Sequence, residues 1–290
     1  MSASQTTVEA FSPARITGFF MIFQGGSTGA GVNLSEGAVT KVSLSNEQSE
    51  PEIVINGSDI EARVSRRVYA GFARELAGRR VIAKTTTSFP VGYGLGMSGA
   101  GAFSLSLALN AALGGAKSYQ ECAQIATEAE IFCGTGLGTV MNQQFCGFLI
   151  GNEPYPSKSS RQIPCSEDTV VCCFLNPIET GSIIRNHGWK ERINTIGQEC
   201  MLEINRDPTI KNFTLLARHF ALSTGLANES LRQIMDDVKV ACMAMLGQTL
   251  FAVVHKDEAP EVEARFKKYS ARTQVSALGQ RPAMVISPGN

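Results

Sequence analysis

Five glycines fall within thirteen residues, Pro90-Val-Gly-Tyr-Gly-Leu-Gly-Met-Ser-Gly-Ala-Gly-Ala102. That density constrains the chain more than any other feature, because glycine loses the most backbone freedom on folding and weakens a helix or strand interior. Such a run persists where bare backbone has to come close to something. It follows a predicted strand over 81–87. Strand, glycine loop, then an element opening at Ser98 is the layout in which main-chain N–H groups meet phosphate oxygens at the positive end of a helix. The element after the loop reads two ways: Phe103, Leu105, Leu107 and Leu109 alternate as in a strand, and only a helix supplies the dipole.

Several familiar motifs are excluded or weakened by residue type. The chain has no Gly-Lys dipeptide, so the GxxxxGK[ST] loop is absent. Gly94-x-Gly96-x-x-Gly99 fits the dinucleotide fingerprint, yet that pattern needs a second strand ending in an acid about 20 residues on, and 119–132 reads as a helix. Gly96-x-Ser98-x-Ala100 lacks the last glycine of a hydrolase elbow, and only His187, His219 and His255 are available as bases. Taken alone, the loop also fits tight packing of a helix on a strand.

Composition narrows the partners. Lys plus Arg and Asp plus Glu both total 26, so no net field gathers nucleic acid or an anionic membrane, and the expected partner is a small molecule held by local groups. The eight cysteines form no CxxC and have no His at zinc spacing. They read as reduced, mostly buried thiols of a cytoplasmic protein, with Cys172 and Cys173 in a strand core. Thr17 and Gly18 break the apolar run after Arg15, which argues against a signal peptide, and no stretch reaches the roughly 20 apolar residues of a membrane span.

With 290 residues and 43% hydrophobic content the chain has enough apolar material for two domains. Residues 1–60 look like β-structure interrupted by a glycine loop at 25–31, and 61–77 fit a helix. Ser118-Tyr-Gln-Glu121 is a capping box opening a helix with apolar positions 122, 125, 126, 129, 132 and 133, which Gly134 stops. The stretch 151–164 is polar with three prolines, a linker or exposed hairpin, and the expected domains are 1–163 and 164–290. Beyond it come a strand at 170–175, helices near 183–204, 208–221 and 229–238, a strand at 248–254, a helix at 258–269 and a strand near 284. The whole is an α+β pattern.

Four segments stand in a fixed order: Pro13-Ala-Arg-Ile-Thr-Gly-Phe-Phe20 with Gly26-Ser-Thr-Gly-Ala-Gly31; Gly94-Leu-Gly-Met-Ser-Gly-Ala-Gly101 running into Leu107-Ala-Leu-Asn110; 130–138 with Gly134-Thr-Gly-Leu-Gly138; and Met243-Ala-Met-Leu-Gly-Gln-Thr-Leu-Phe-Ala252. Together they resemble the GHMP kinase superfamily, and within it archaeal pantoate kinases most closely. The resemblance implies a two-domain fold, S5-like at the N-terminus and ferredoxin-like at the C-terminus. It implies ATP bound by Gly92, Gly94, Leu95, Gly96, Met97, Ser98, Gly99 and Ala100, and Mg2+ bound by Ser98 and Glu130. A hydroxyl and a carboxylate suit a hard cation that bridges phosphates. Periodicity alone leaves Glu128 and Glu130 equivalent; the family pattern selects Glu130.

Arg15 reads either as a surface strand residue or as a catalytic cation that neutralises the moving phosphoryl group or holds a substrate carboxylate. Thr17, Ser27, Thr28 and Gly136 resemble the acceptor-binding wall, with Thr28 where relatives tend to carry a basic residue. Thr139 occupies the catalytic position at which the superfamily often has Asp, and a hydroxyl cannot act as a base near neutral pH. Residues 1–163 hold a single Asp, Asp59, which leaves Glu36 as the candidate replacement. Gly247 and its neighbours resemble a loop of the second domain that closes over the ligands.

The resemblance therefore implies Mg2+- and ATP-dependent phosphorylation of the 4-hydroxyl of (R)-pantoate to 4-phosphopantoate, in archaeal coenzyme A synthesis, by a cytoplasmic homodimer. Two alternatives stay open. One is another kinase of the superfamily, acting on homoserine, shikimate or mevalonate; the other, motivated by Thr139, is a nucleotide-binding pseudokinase.

Overall fold

The computed structural model describes residues 7–45, 49–58, 62–157 and 159–287. Strands β1 (Thr7–Phe23) and β2 (Gly26–Ser45) form one long antiparallel hairpin that turns at Gln24 and Gly25. The expected loop at 25–31 is therefore mostly strand: residues 26–31 pair with β1, and 29–32 also pair with β5 (Phe148–Gly151). Glycine is needed there for close approach, since a Cβ on Gly31 would stand 2.2 Å from the Ile16 carbonyl oxygen.

The far half of β2 pairs with β4 (Arg80–Thr87), which carries β3 (Glu52–Ile55) in parallel on its other side. β6 (Ser160–Ile163), partly exposed, completes a hairpin with the fully buried β5, and β11 (Met284–Ser287) returns from the end of the chain to pair with β1. The second sheet consists of β7 (Thr169–Pro177), β8 (Cys242–Ala244), β9 (Gly247–Val254) and β10 (Thr273–Ala277) in the order β10-β7-β9-β8. Its neighbours are all antiparallel, and helices follow its first and third strands, which is the ferredoxin-like arrangement.

The element after the glycine loop is helix α3 (Met97–Ala112), preceded in the chain by α1 (Arg63–Ala70) and α2 (Ala73–Leu76). It rests on β1 and β2 and is covered by α1 and α4 (Tyr119–Cys133). Phe103, Leu105, Leu107 and Leu109 are all buried, because a helix enclosed on every side is apolar all round and shows no single face. That is why its pattern imitates a strand. The expected helix at 61–77 is broken at Gly71 and Phe72 into α1 and α2, and residue 61 lies outside the described residues. Phe72 is fully buried, and Gly71 lets α4 approach, a Cβ there falling 2.8 Å from Ile125 Cγ2.

Helix α4 opens on the expected capping box: the Glu121 amide donates to Ser118 Oγ at 3.2 Å and the Ser118 amide to Glu121 Oε2 at 2.7 Å. Its buried side keeps Cys122, Ala126 and Ala129 of the expected face, with Ile125 partly buried, but extends the other way round the helix. Cys122, Ala123, Ala126, Thr127, Ala129 and Glu130 face inward, whereas Phe132 is 66% exposed beneath the Arg67 guanidinium. After α5 (Thr139–Gln143) and α6 (Thr180–Ile184), helices α7 (His187–Arg206) and α8 (Ile210–Thr224) pack on β1. The α8 ring of Phe213 lies 6.0 Å from Phe19, 5.1 Å from Phe148 and 6.1 Å from Phe251, joining both sheets in one aromatic cluster. Cys172 and Cys173 are buried in β7, all eight cysteines are free, and no helix among the described residues is long and apolar enough to cross a membrane.

Candidate active site

The site begins with irregularities in β1. Its register against β2 shifts between Pro13 and Arg15 and again between Thr17 and Phe19, and such bulges re-aim side chains. Arg15 is turned inward, 3% exposed, with its amide donating to the Leu95 carbonyl at 2.9 Å. Its Nη1 donates to Asn33 Oδ1 at 3.2 Å, and Asn33 is itself fixed by donating to the Asn142 and Phe145 carbonyls at 2.8 and 2.9 Å. No carboxylate pairs with Arg15 among the described residues. Burial pulls the guanidinium down from 12.5 to about 9, so an anion placed against it recovers the lost solvation.

The glycine run has two tasks. At Gly94, φ is 83° and a Cβ would lie 2.9 Å from the Met245 carbonyl oxygen; at Gly247 a Cβ would lie 2.0 Å from the Tyr93 carbonyl carbon. Here the bare backbone makes room for the turn between β8 and β9, which docks through Met245 N–H to Thr17 O at 2.9 Å and Thr249 Oγ1 to Tyr93 O at 2.7 Å. Gly96 then takes φ 62° and makes room for Thr139 Cγ2, 2.8 Å from the position of a Cβ. Directly after it α3 begins, and the amides of Met97, Ser98 and Gly99 form its positive end. The Ala100 amide is already bonded to the Gly96 carbonyl at 2.9 Å.

Facing that helix end, Ser98 Oγ donates to Glu130 Oε1 at 2.5 Å, and Thr135 Oγ1 donates to the same oxygen at 2.6 Å. Glu130 is 3% exposed, and burial raises its carboxyl above the ordinary range, an effect the two hydroxyl donors partly offset. Glu128 lies on the exposed side of α4 and accepts from the Tyr155 hydroxyl at 2.9 Å. Of these two, Glu130 is the one that reaches the cavity.

These groups line a cavity of about 380 Å³. Of the residues expected from the sequence, Arg15, Thr17, Ser27, Gly92, Glu130, Gly136, Thr139 and the segment 94–98 form its wall, while Gly99 and Ala100 stand behind it. Thr28 lines a smaller adjoining cleft that shares Arg15, Thr17, Ser27 and Thr139. Glu36 is elsewhere, accepting from Ser35 at 2.8 Å and from Ser276 in a separate cavity, so it does not replace an Asp at 139. Asp59 lies outside the described residues.

Sequence reading missed Arg63, Glu179 and Arg185, all in the cavity wall. Arg185 lies against Gly134, where a Cβ would fall 2.2 Å from its Nη2. No motif surrounds these residues, and only the docking of the second half on the first brings Glu179 and Arg185 to the site.

Residues 62–148 match the family described as the GHMP kinases N terminal domain. The chain is 33% identical over 257 residues to the pantoate kinase of Methanocaldococcus jannaschii, covering 85% of this chain and 93% of that protein. It is 32% identical over 275 residues to the pantoate kinase of Thermococcus kodakarensis, covering 88% and 90%. A solved structure described as a phosphotransferase related to the coenzyme A biosynthesis pathway superposes with a TM-score of 0.87 at 28% identity, covering 96% of this chain and 98% of that one.

Proposed function

The chain belongs to the pantoate kinase family of GHMP kinases, and we propose that it transfers the γ-phosphoryl group of ATP to the 4-hydroxyl of (R)-pantoate, giving 4-phosphopantoate. As a member of that family it is an ATP-dependent phosphotransferase with an alcohol acceptor. The observation that carries the reading is one cavity holding both the buried Arg15 guanidinium, which has no carboxylate partner among the described residues, and the buried Glu130 carboxylate bonded to the Ser98 hydroxyl.

In this reading the amides opening α3 hold the phosphate tail, helped by the helix dipole. Ser98 and Glu130 fit Mg2+, because a buried carboxylate beside a hydroxyl gives a hard cation its oxygen ligands while a cation offsets the cost of the buried charge. When bound, the metal neutralises negative charge on the phosphate oxygens. Arg15 places positive charge at the acceptor end, and Thr17, Ser27, Thr28 and Gly136 shape the acceptor wall. The turn at 245–247 closes the cavity from the second half. Thr139 cannot act as a base, yet phosphoryl transfer through a loose transition state depends mainly on alignment and electrostatic stabilisation, which these residues supply.

The proposal extends to a place in coenzyme A synthesis, a cytoplasmic homodimer, and domains of 1–163 and 164–290, with β11 returning from the second to the first. Its test is ADP release by purified protein with pantoate, homoserine, shikimate, mevalonate or no acceptor. Pantoate-dependent release is expected. Thr139 favours one rival, a pseudokinase, which binds magnesium nucleotide and turns over none of the four.

A further inference from the structure

Gln143 ends the short helix α5, one turn after Thr139, and is fully buried. It stands behind the cavity wall, yet its side-chain amide bridges two segments that form that wall. Nε2 donates to the Pro13 carbonyl at 2.8 Å and to the Gly96 carbonyl at 3.2 Å. Carbonyls only accept, so the amide nitrogen has to face them. Pro13 opens the register shift in β1 that turns Arg15 inward, and Gly96 is the left-handed residue from which α3 starts. The Arg15 amide meets the Leu95 carbonyl at 2.9 Å between them. One bond acts as a hinge; the Gln143 bridge adds further points and so fixes the tilt of β1 against the start of α3.

The bridge is more than the fold requires. The Gly96 carbonyl already accepts the Ala100 amide at 2.9 Å, so no orphan acceptor calls for a second donor there. Its cost falls at the other end of the side chain. Gln143 Oε1 is buried with no donor among the described residues, and it faces the first turn of α3, where a Cβ on Gly99 would lie 3.3 Å from it. A buried acceptor left in that state weakens the fold. Helix α5 also holds Arg15 by a second route, since the Asn142 carbonyl accepts from Asn33 Nδ2 at 2.8 Å and Asn33 Oδ1 accepts from Arg15 Nη1 at 3.2 Å. A side chain that costs stability while tying opposite walls of a cavity together serves the geometry of that cavity.

We propose that Gln143 is a positioning residue, which fixes the Arg15 segment against the amides of α3 and so keeps the acceptor hydroxyl in line with the γ-phosphoryl group. This role rests on the kinase reading above and deepens it. In transfer, the γ-phosphorus leaves the β–γ bridging oxygen of ATP for the acceptor oxygen, whose proton passes to water. With the hydroxyl out of line, a water molecule takes its place and the products are ADP and free phosphate. Loss of the bridge therefore uncouples ADP release from phosphorylation of the acceptor.

The test compares wild type with Gln143→Met, which keeps the length of the side chain and loses its donors. Ser106→Ala is the control: it removes another buried hydrogen bond of α3, to the Cys122 carbonyl at 2.9 Å. ADP and phosphorylated pantoate are measured in the same samples, with thermal unfolding alongside. Gln143→Met is expected to lose about 10–10²-fold in kcat while the KM for ATP and for pantoate stay within about twofold. It should also release more ADP per phosphorylated pantoate than wild type, whereas Ser106→Ala melts lower and keeps the wild-type kcat and ratio. The ratio decides, because a merely structural side chain changes the folded fraction and not the partition between pantoate and water. A ratio that stays at the wild-type value in folded Gln143→Met, or that rises as far in Ser106→Ala, overturns the role. Should Gln143→Met not fold, Gln143→Asn, whose amide is one methylene short, is read by the same ratio; if neither folds, Gln143 is structural and the role is overturned. Wild-type protein idle on pantoate removes the kinase reading and this role with it, whereas active wild type with an unchanged ratio in the variant removes the role alone.

Discussion

Alanine at Gly136 is the smallest change that interrogates the position of Glu130. On the present backbone its Cβ would lie 2.3 Å from Glu130 Oε2 and 3.1 Å from Cδ, where ordinary contact starts at 3.4 Å. The carboxylate must therefore retreat by about 1 Å, against the pull of Ser98 and Thr135 on its other oxygen. A misplacement of about 1 Å costs on the order of 10²-fold in rate, while overpacking costs about 1–3 kcal/mol of stability. Gly101→Ala is the matched control: its Cβ would meet only Thr85 Cγ2, at 3.7 Å, inside a helix where Ala is favoured by about 0.5–1 kcal/mol. Pantoate-dependent ADP release across a Mg2+ titration, with thermal unfolding alongside, reads both effects. Gly136→Ala should stay folded, lose about 10²-fold in kcat/KM and regain part of it at high Mg2+, while Gly101→Ala keeps full activity and melts higher. A folded Gly136→Ala protein with wild-type kcat/KM refutes the placement of Glu130, as does an equal loss in the control.

Further outcomes rest on the same geometry. Glu130→Gln should lower Mg2+-dependent turnover by about 10²-fold or more without lowering the melting temperature. Because burial raises the Glu130 pKa, the folded state holds that proton more tightly than the unfolded chain, so stability falls as pH rises from 4.5 through the raised value; the Gln variant should lack that slope in melting temperature against pH. Thr139→Asp sets a carboxylate beside Arg15, both residues bordering Gly96, and should lower kcat/KM for pantoate by about 10-fold through competition for the guanidinium; a marked gain instead favours a site decayed from an Asp-bearing ancestor. Mass spectrometry after alkylation of native protein should find Cys133, Cys146 and Cys165 labelled and the five buried thiols untouched, with magnesium ATP shielding Cys133, which lines the cavity. Burial raises the Cys133 thiol, so its labelling should keep accelerating above pH 9.

What could be read in the sequence was local. The capping box at Ser118 and Glu121 depends on residues three apart, and the helix start at Met97 follows a contiguous glycine run. Helix α3 resisted reading because enclosure erased its amphipathic pattern. The apolar template misplaced Phe132 and could not choose Glu130, since the inward face of α4 near the cavity carries small residues and a carboxylate in place of large apolar ones. Arg15 read equally as a surface residue, because the bulge and the Asn33 bond that bury it depend on strand pairing. The glycine run signalled close approach and Gly247 resembled part of a closing loop, but that Gly94 and Gly247 make room for one another's loops emerges only when the two sheets meet.

The most direct measurement is the structure of the protein with a non-hydrolysable ATP analogue, Mg2+ and pantoate. The account predicts triphosphate oxygens on the amides of Met97 to Gly99, the metal between Ser98 and Glu130, and the acceptor between Arg15, Thr17 and Ser27. Triphosphate density away from the start of α3, or pantoate bound away from Arg15, contradicts it.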